Sequence, residues 1–496
     1  MHATALRCLV MWTTCVVCTS MLPHSAIAKS HAFTAKTQAE HQWISPFAVD
    51  AINSEFVHGQ TGFLRVQLGA KQQIGAFTFK LFGDGIFLQP YGLSSDIGLS
   101  IGEDTFREPR DNVQIWIPRA ASLDYKSAIG LWSCGLNTLQ WGQGILINDG
   151  MVRGRFGRVI NASTFARCSF GTQLGKHLQP FISAGAVYRD DQAEWLEGDR
   201  AFSVVSGLRW SHSRTKVGLL LALRSQTDRL DPHHPASTKT ELTSMVSDLT
   251  WHHHFNLGGQ QVEWVGEVAL ILGHTTRPYL EETFEDGADI RAFGGMTRAV
   301  IPLKPVKMHL EVGYASGDND PMDETMRTFN FHSSFGVGLV LVDHVLPMMS
   351  ARSVDRINDE SLLDVTPPSL RFTVNQGTAT GLAYLNPGVE WAIHKDTQFI
   401  VHYLYFVATA DLVDIYNTQI NGGFNTNYGN QQPGSPSLGQ EVNLRLKHSV
   451  DLWSDTKQPL VLSVLLEGAA FFPGAAFEDV LTEPIIAGRT GLHIDF

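Results

Sequence analysis

The stretch Val306-Lys307-Met308-His309-Leu310-Glu311-Val312-Gly313-Tyr314 (VKMHLEVGY) decides the fold class, because apolar and polar residues alternate in it with period two. Val306, Met308, Leu310, Val312 and Tyr314 share one face, and Lys307, His309, Glu311 and Gly313 share the other. An extended strand sorts residues this way; a helix does not. The pattern recurs. In EVNLRLKH, Val442, Leu444 and Leu446 oppose Glu441, Asn443, Arg445 and Lys447. In TKVGLLLALRSQ, Val217, Leu219, Leu221 and Leu223 oppose Lys216, Gly218, Ala222 and Arg224. In QVEWVGEVALIL, Val262, Trp264, Val268, Leu270 and Leu272 oppose Glu263, Glu267 and Ala269. TGFLRVQLG and AFTFKLF carry Arg65, Gln67, Thr78 and Lys80 on their polar sides. One such segment would suit a half-buried soluble sheet. Their number, and lengths of about ten residues, point to strands that cross a membrane.

Composition agrees. The chain has 496 residues, of which 43% are hydrophobic and only 17% charged, against roughly 25% charged in ordinary domains. Mean hydropathy is nevertheless −0.05, as fine alternation requires. The net charge of −12 excludes general nucleic-acid binding, which needs a basic stripe. So many apolar residues also exclude a disordered chain.

Residues 1–28 read as a secretory signal. Arg7 supplies the positive start, Cys8 to Cys18 the apolar run, and Ala26-Ile27-Ala28 the small-residue cleavage pattern. That run is shorter than the ~20 residues of a spanning helix. Cleavage leaves Cys134 and Cys168 as the remaining cysteines, a candidate disulfide in an oxidising compartment, with two free thiols as the alternative. Residues 29–60 read as an irregular lead, and 61–496 as one barrel domain.

Connections give a second signal. Tight turns are expected at His212–Thr215, Asn256–Gly259, Leu303–Pro305, His394–Thr397 and Ser454–Gln458. Between these hairpins lie long polar stretches, at 190–200, 226–240, 274–288, 317–331 and 409–438. Short turns on one side and long loops on the other are the pattern of bacterial outer-membrane barrels. The end of the chain, RTGLHIDF, alternates again and closes on Phe496. The expectation is therefore an all-β, transmembrane antiparallel β-barrel of roughly 16–18 strands, wide enough for an aqueous lumen. Within 320–385, FGVGLVLVDHVLPMM and LRFTVNQG read as candidate strands and 350–367 as a loop.

Three stretches resemble the alginate-export family of large outer-membrane porins: EVGYASGDND (Glu311–Asp320), LGQEVNLRLKHSVDLWSDTKQPLVLSVLLEGAAFFPG (Leu438–Gly474), and LQWGQGILINDG (Leu139–Gly150). The resemblance implies a single large barrel and, in its best-known form, export of a polyanionic polysaccharide through an arginine-rich pore. The chain departs from that form in being acidic overall, with basic and acidic residues mixed on its polar faces.

Sorting charges by face gives the expected pore lining. The positives are Arg65, Lys80, Arg209, Lys216, Arg224, Lys307, Arg445, Lys447 and Arg489, against Glu263, Glu267, Glu311, Glu441, Glu467 and Asp495. Arg153, Arg155, Arg158 and Arg167 form a further cluster at a candidate constriction. A lipid-facing charge costs ~2–4 kcal/mol near the midplane, so these side chains should point inward. Rings of Arg and Lys favour anions; the competing expectation is that the charges solvate one another as ion pairs. The acids gather instead in the long stretches: Asp190, Asp191, Glu194, Glu197 and Asp199; Glu281, Glu282, Glu285, Asp286 and Asp289; Asp318, Asp320, Asp323 and Glu324. Candidate Ca²⁺ binding there is weighed against a solvated acidic rim. His252 and His254 share a strand face as a candidate metal pair lacking a third ligand.

No HExxH, Walker or GxSxG motif is readable, so an enzyme is not expected. The leading expectation is an outer-membrane channel of a Gram-negative bacterium, passing small or oligomeric, in part anionic, solutes. Alternatives are an export port for an anionic exopolysaccharide, which would need periplasmic partners, and a barrel-anchored surface enzyme or adhesin. The expected partners are outer-membrane lipid, lipopolysaccharide and the barrel-assembly machinery reading the Phe496 strand; no cofactor other than the candidate Ca²⁺ is expected.

Overall fold

The computed structural model describes residues 30–56, 59–91, 113–150, 156, 163–190, 193, 195–229, 239–276, 287–320, 323–332, 334–358, 380–453, 460–477 and 479–495. The expected signal at 1–28, LRFTVNQG, the turn at 454–458, Arg153, Arg155, Arg158 and Phe496 lie outside them. Long strands dominate: β1 (Ser30–Ile44), β4 (Gln60–Ile74), β5 (Phe77–Tyr91), β6 (Val113–Lys126), β7 (Leu131–Thr138), β8 (Thr164–Gly171), β9 (Leu178–Arg189), β10 (Arg200–His212) and β11 (Thr215–Arg229). They continue as β12 (Lys239–Leu257), β13 (Gln260–Thr275), β14 (Ala288–Leu303), β15 (Val306–Ala315), β17 (Leu382–His394), β18 (Thr397–Ala408), β19 (Ser437–Trp453), β20 (Leu460–Pro473) and β21 (Ile485–Asp495). Three two-residue strands complete the set: β2 (Phe47–Ala48), β3 (Glu55–Phe56) and β16 (Thr325–Met326).

The eighteen long strands pair antiparallel with their chain neighbours, and β1 pairs with both β4 and β21. The sheet is thus a closed barrel without a free edge, one of the two ways a chain can cross lipid with its backbone groups satisfied. Within the stretch read as an irregular lead, Ser30–Ile44 is the closing strand, with Lys36 opposite Asp495 and Ile44 opposite Ala487. Its sequence, SHAFTAKTQAEHQWI, is polar on one face and small on much of the other, so the apolar alternation that marks other strands is faint.

Exposure confirms the inside-out sorting. Met308, Leu310, Val312 and Tyr314 of β15 lie on the outer surface, while His309 and Glu311 are buried. Around the barrel the outward residues form bands. Phe77, Tyr125, Trp132, Trp210, Trp264 and Trp391 are exposed toward the short-turn ends, and Trp43, Phe202, Phe293, Tyr314, Tyr405 and Phe472 toward the long-loop ends. Leu219, Leu221, Leu249, Leu270, Leu310, Val389, Leu444 and Leu466 are exposed between them. An apolar belt between two aromatic girdles is what a bilayer selects. Ser30 of β1 and Asp495 of β21 both lie at the short-turn side, which in outer-membrane barrels faces the periplasm. This is a barrel of the Gram-negative outer membrane. Cys134 of β7 and Cys168 of β8 are direct cross-strand partners, and a disulfide joins them.

Candidate functional site: the constricted lumen

The described parts of two long loops fold into the barrel. The first, residues 139–163, leaves β7 with Trp141, which is 1% exposed. Its indole N–H donates to Asp248 Oδ1 on β12 at 2.9 Å. The next turn is held by Glu267 on β13: its Oε2 accepts the N–H of Gly144 at 3.0 Å and that of Gln143. The approach is close enough that a Cβ on Gly142 would sit 2.2 Å from Glu267 Oε2, and Gly142 has a φ of +53°. This is the reason for the glycines in QWGQG. Farther along, Phe156 packs edge-on to His402 at 5.2 Å and beneath the Arg445 guanidinium at 5.0 Å. Trp141 to Gly144 thus lie against the β12–β13 wall and Phe156 against the β18–β19 wall.

The second loop, residues 316–381, carries a π-helical turn (Leu341–Val345) continued by helix α1 (Leu346–Asn358). FGVGLVLVDHVLPMM is thus not a strand and 350–367 not wholly loop; a continuous apolar run cannot be assigned to strand or buried helix by period alone. Val340, Leu341, Val345 and Met349 are fully buried against inward apolar wall residues, among them Tyr384, Leu404, Phe406, Phe471 and Ala487. Glu441, on β19, clamps the start of this element: its carboxylate accepts the N–H groups of Leu339 (2.6 Å), Val340 (3.2 Å) and Leu341 (3.0 Å). The two loops meet where His332 N donates to Ile145 O at 2.6 Å and Ser163 Oγ contacts His332 Nε2 at 3.1 Å.

The inserted helix is also tied to its neighbours. Arg352 Nε donates to Asp50 Oδ2 at 2.9 Å, and Ser353 donates to Asp414. The Arg356 guanidinium lies 3.9 Å over Tyr416 in helix α2 (Ile415–Ile420). Burial raises the Asp50 carboxyl, but the hydrogen bonds from Arg352 and Ser54 outweigh it and hold it low. Burial pushes Asp414 up to about 6 against the opposing pull of Ser353 and Arg356.

Most expected lining charges point inward and carry acid partners. Arg65 and Arg119 both bind Asp84, at 3.0 Å and 2.7 Å. Lys80 reaches Asp124 at 2.6 Å, Arg224 reaches Asp190 at 2.6 Å, and Lys307 reaches Glu390 at 2.6 Å. Arg445 binds Glu467, which Arg489 also contacts at 3.3 Å. Glu311 meets Arg298 at 3.4 Å and accepts from Tyr384 Oη at 3.0 Å. Lys216 and Lys447 are exposed near the short-turn ends. Arg209 stacks on Trp141 at 5.0 Å, and Arg167 donates to Thr138 O at 2.7 Å. Sequence reasoning missed Asp84, Arg119, Asp248, Arg298 and the helix-clamping role of Glu441. Alternation marks a residue as inward without naming its partner on the neighbouring strands. In the acidic stretch after β15, Arg327 bridges Asp318 at 3.2 Å and Asp323 at 2.8 Å.

No protein-family model matches the chain, and no curated protein does. Solved structures do. The outer membrane protein OpdK of Pseudomonas aeruginosa aligns at a TM-score of 0.50 and 10% identity, over 94% of this chain and 98% of its own. The barrel shares its fold with outer-membrane porin structures. OpdL of the same organism aligns at 0.48 and 7%, over 94% and 98%, and OccK2 (OpdF) at 0.47 and 10%, over 94% and 96%. At such identities the likeness is one of fold, and it does not show membership of the alginate-export family.

Proposed function

We propose that the chain is a constricted, passive channel for small, preferentially anionic solutes. The observation that carries this reading is the pair of loops clamped inside an eighteen-strand barrel by Glu267 and Glu441. A barrel of this strand number encloses water unless loops fill it, and here they fill one side with apolar packing while the β4–β6 wall carries ion pairs. Such a narrowed lumen suits small solutes better than a polymer chain. The anionic preference rests on the two guanidiniums at one carboxylate in Arg65–Asp84–Arg119 and on Arg209, Lys216 and Lys447 facing inward. The outer membrane supplies lipid and lipopolysaccharide as the surroundings. In planar bilayers under a KCl gradient, the reversal potential should shift toward the chloride potential; a shift toward the potassium potential overturns the anionic preference.

A further inference from the structure

We infer that the inner wall near the short-turn mouth holds a transition-metal site formed by His252, His254 and Glu263. Period two places His252 and His254 on the inner face of β12, two residues apart. The Gly258-Gly259 turn then fixes the register so that Glu263 of β13 stands directly opposite His254. His252 Nε2 lies 3.1 Å from Glu263 Oε1, and the imidazoles of His252 and His254 are 4.7 Å apart between ring centres. One donor atom from each of the three residues falls within 4.8 Å of the other two. Ligands of a tetrahedral zinc ion stand about 3.3 Å apart, given bonds of ~2.0–2.2 Å, so small side-chain rotations complete the set. Two imidazoles and one carboxylate, with the fourth position open to the lumen, make a known class of zinc donor set.

The surroundings choose the kind of ion. Lys216 is the cross-strand partner of His252, which faces Val265 on its other side, with Arg298 next beyond Val265, so two positive side chains flank the site. Calcium and magnesium, bound by charge through oxygen ligands, are disfavoured there. Zinc, nickel or copper, bound through imidazole nitrogen, can tolerate that field. His252 and Glu263 side chains are 33% and 40% exposed, so the ion enters from the lumen without unfolding the wall.

The test uses the full chain without a polyhistidine tag, EDTA-washed in detergent, with ZnCl₂ as the probe. Isothermal titration should show a zinc site that His252→Ala, His254→Ala and Glu263→Gln each weaken by at least ~10–100-fold, the loss that even an outer partner of a metal ligand causes. His177→Ala should leave it unchanged, although His177 and His212 also lie close, at 3.4 Å. X-ray absorption of the zinc-loaded wild type should show imidazole nitrogen in the first shell. Absence of zinc uptake, a spectrum without imidazole, or uptake that survives all three substitutions overturns the site. The spectrum on the wild type does so even if a variant fails to fold.

Discussion

Asp414 caps helix α2 from a buried position, accepting the N–H of Tyr416 at 3.1 Å and the hydroxyl of Ser353. Burial lifts its pKa to about 6, above the unfolded value of about 3.9. The folded loop thus binds the proton more tightly than the unfolded one. Loop stability should fall as pH rises from about 4 to about 6, then stay level, with a total of about 3 kcal/mol or less. Hydrogen exchange of peptides from 409–436, corrected for intrinsic rates, should show that loss of protection, and Asp414→Asn should remove it. A pH dependence that persists in Asp414→Asn would locate the titration elsewhere. Such a residue is invisible in the sequence, where Asp414 is one acid in a long polar stretch. Its environment is made by Ser353 and Arg356, some sixty residues away, in an element the period-two reading did not recognise.

At the scale of elements, legibility tracked distance along the chain. Strands such as Val306–Ala315 and Thr215–Arg229 announce themselves, because lipid and lumen impose opposite demands on successive residues. Turns at 213–214, 258–259, 304–305 and 395–396 follow from the same pattern. Strand Ser30–Ile44 was hidden because Ala35, Thr37, Ala39 and His41 leave only Phe33 and Trp43 as large apolar residues on the described part of its outward face, and the start of helix Leu346–Asn358 because the continuous apolar run leading into it fits strand or helix alike. That helix is held by Arg352, only 5% exposed, on Asp50. Arg352→Ala leaves the Asp50 carboxylate buried without its guanidinium, a change that costs about 3–5 kcal/mol in buried pairs. Limited proteolysis of folded barrels should then cut within 339–358, where the wild type resists. Equal resistance of the two proteins would show that the apolar packing alone retains the helix.

For the whole molecule, the sequence placed many of these charges on the inward face but said little of their arrangement. Arg65, Arg224, Lys307, Arg445 and Arg489 face inward as alternation requires, yet their charges are spent largely on acids of adjacent or nearby strands. What narrows the lumen is tertiary: backbone N–H groups of two loops delivered onto Glu267 and Glu441. Removing the Glu441 carboxylate strands three buried N–H groups, at about 1–3 kcal/mol each, which should free the second loop while leaving the strand ladder intact. Single-channel recording of the wild type and Glu441→Ala in planar bilayers tests this most directly. The wild type should open to a small, discrete conductance, and Glu441→Ala to one about twofold larger or more, because an unobstructed barrel of this size is water-filled. A wild type that conducts nothing, or a variant whose conductance matches it, would contradict the constricted-channel account.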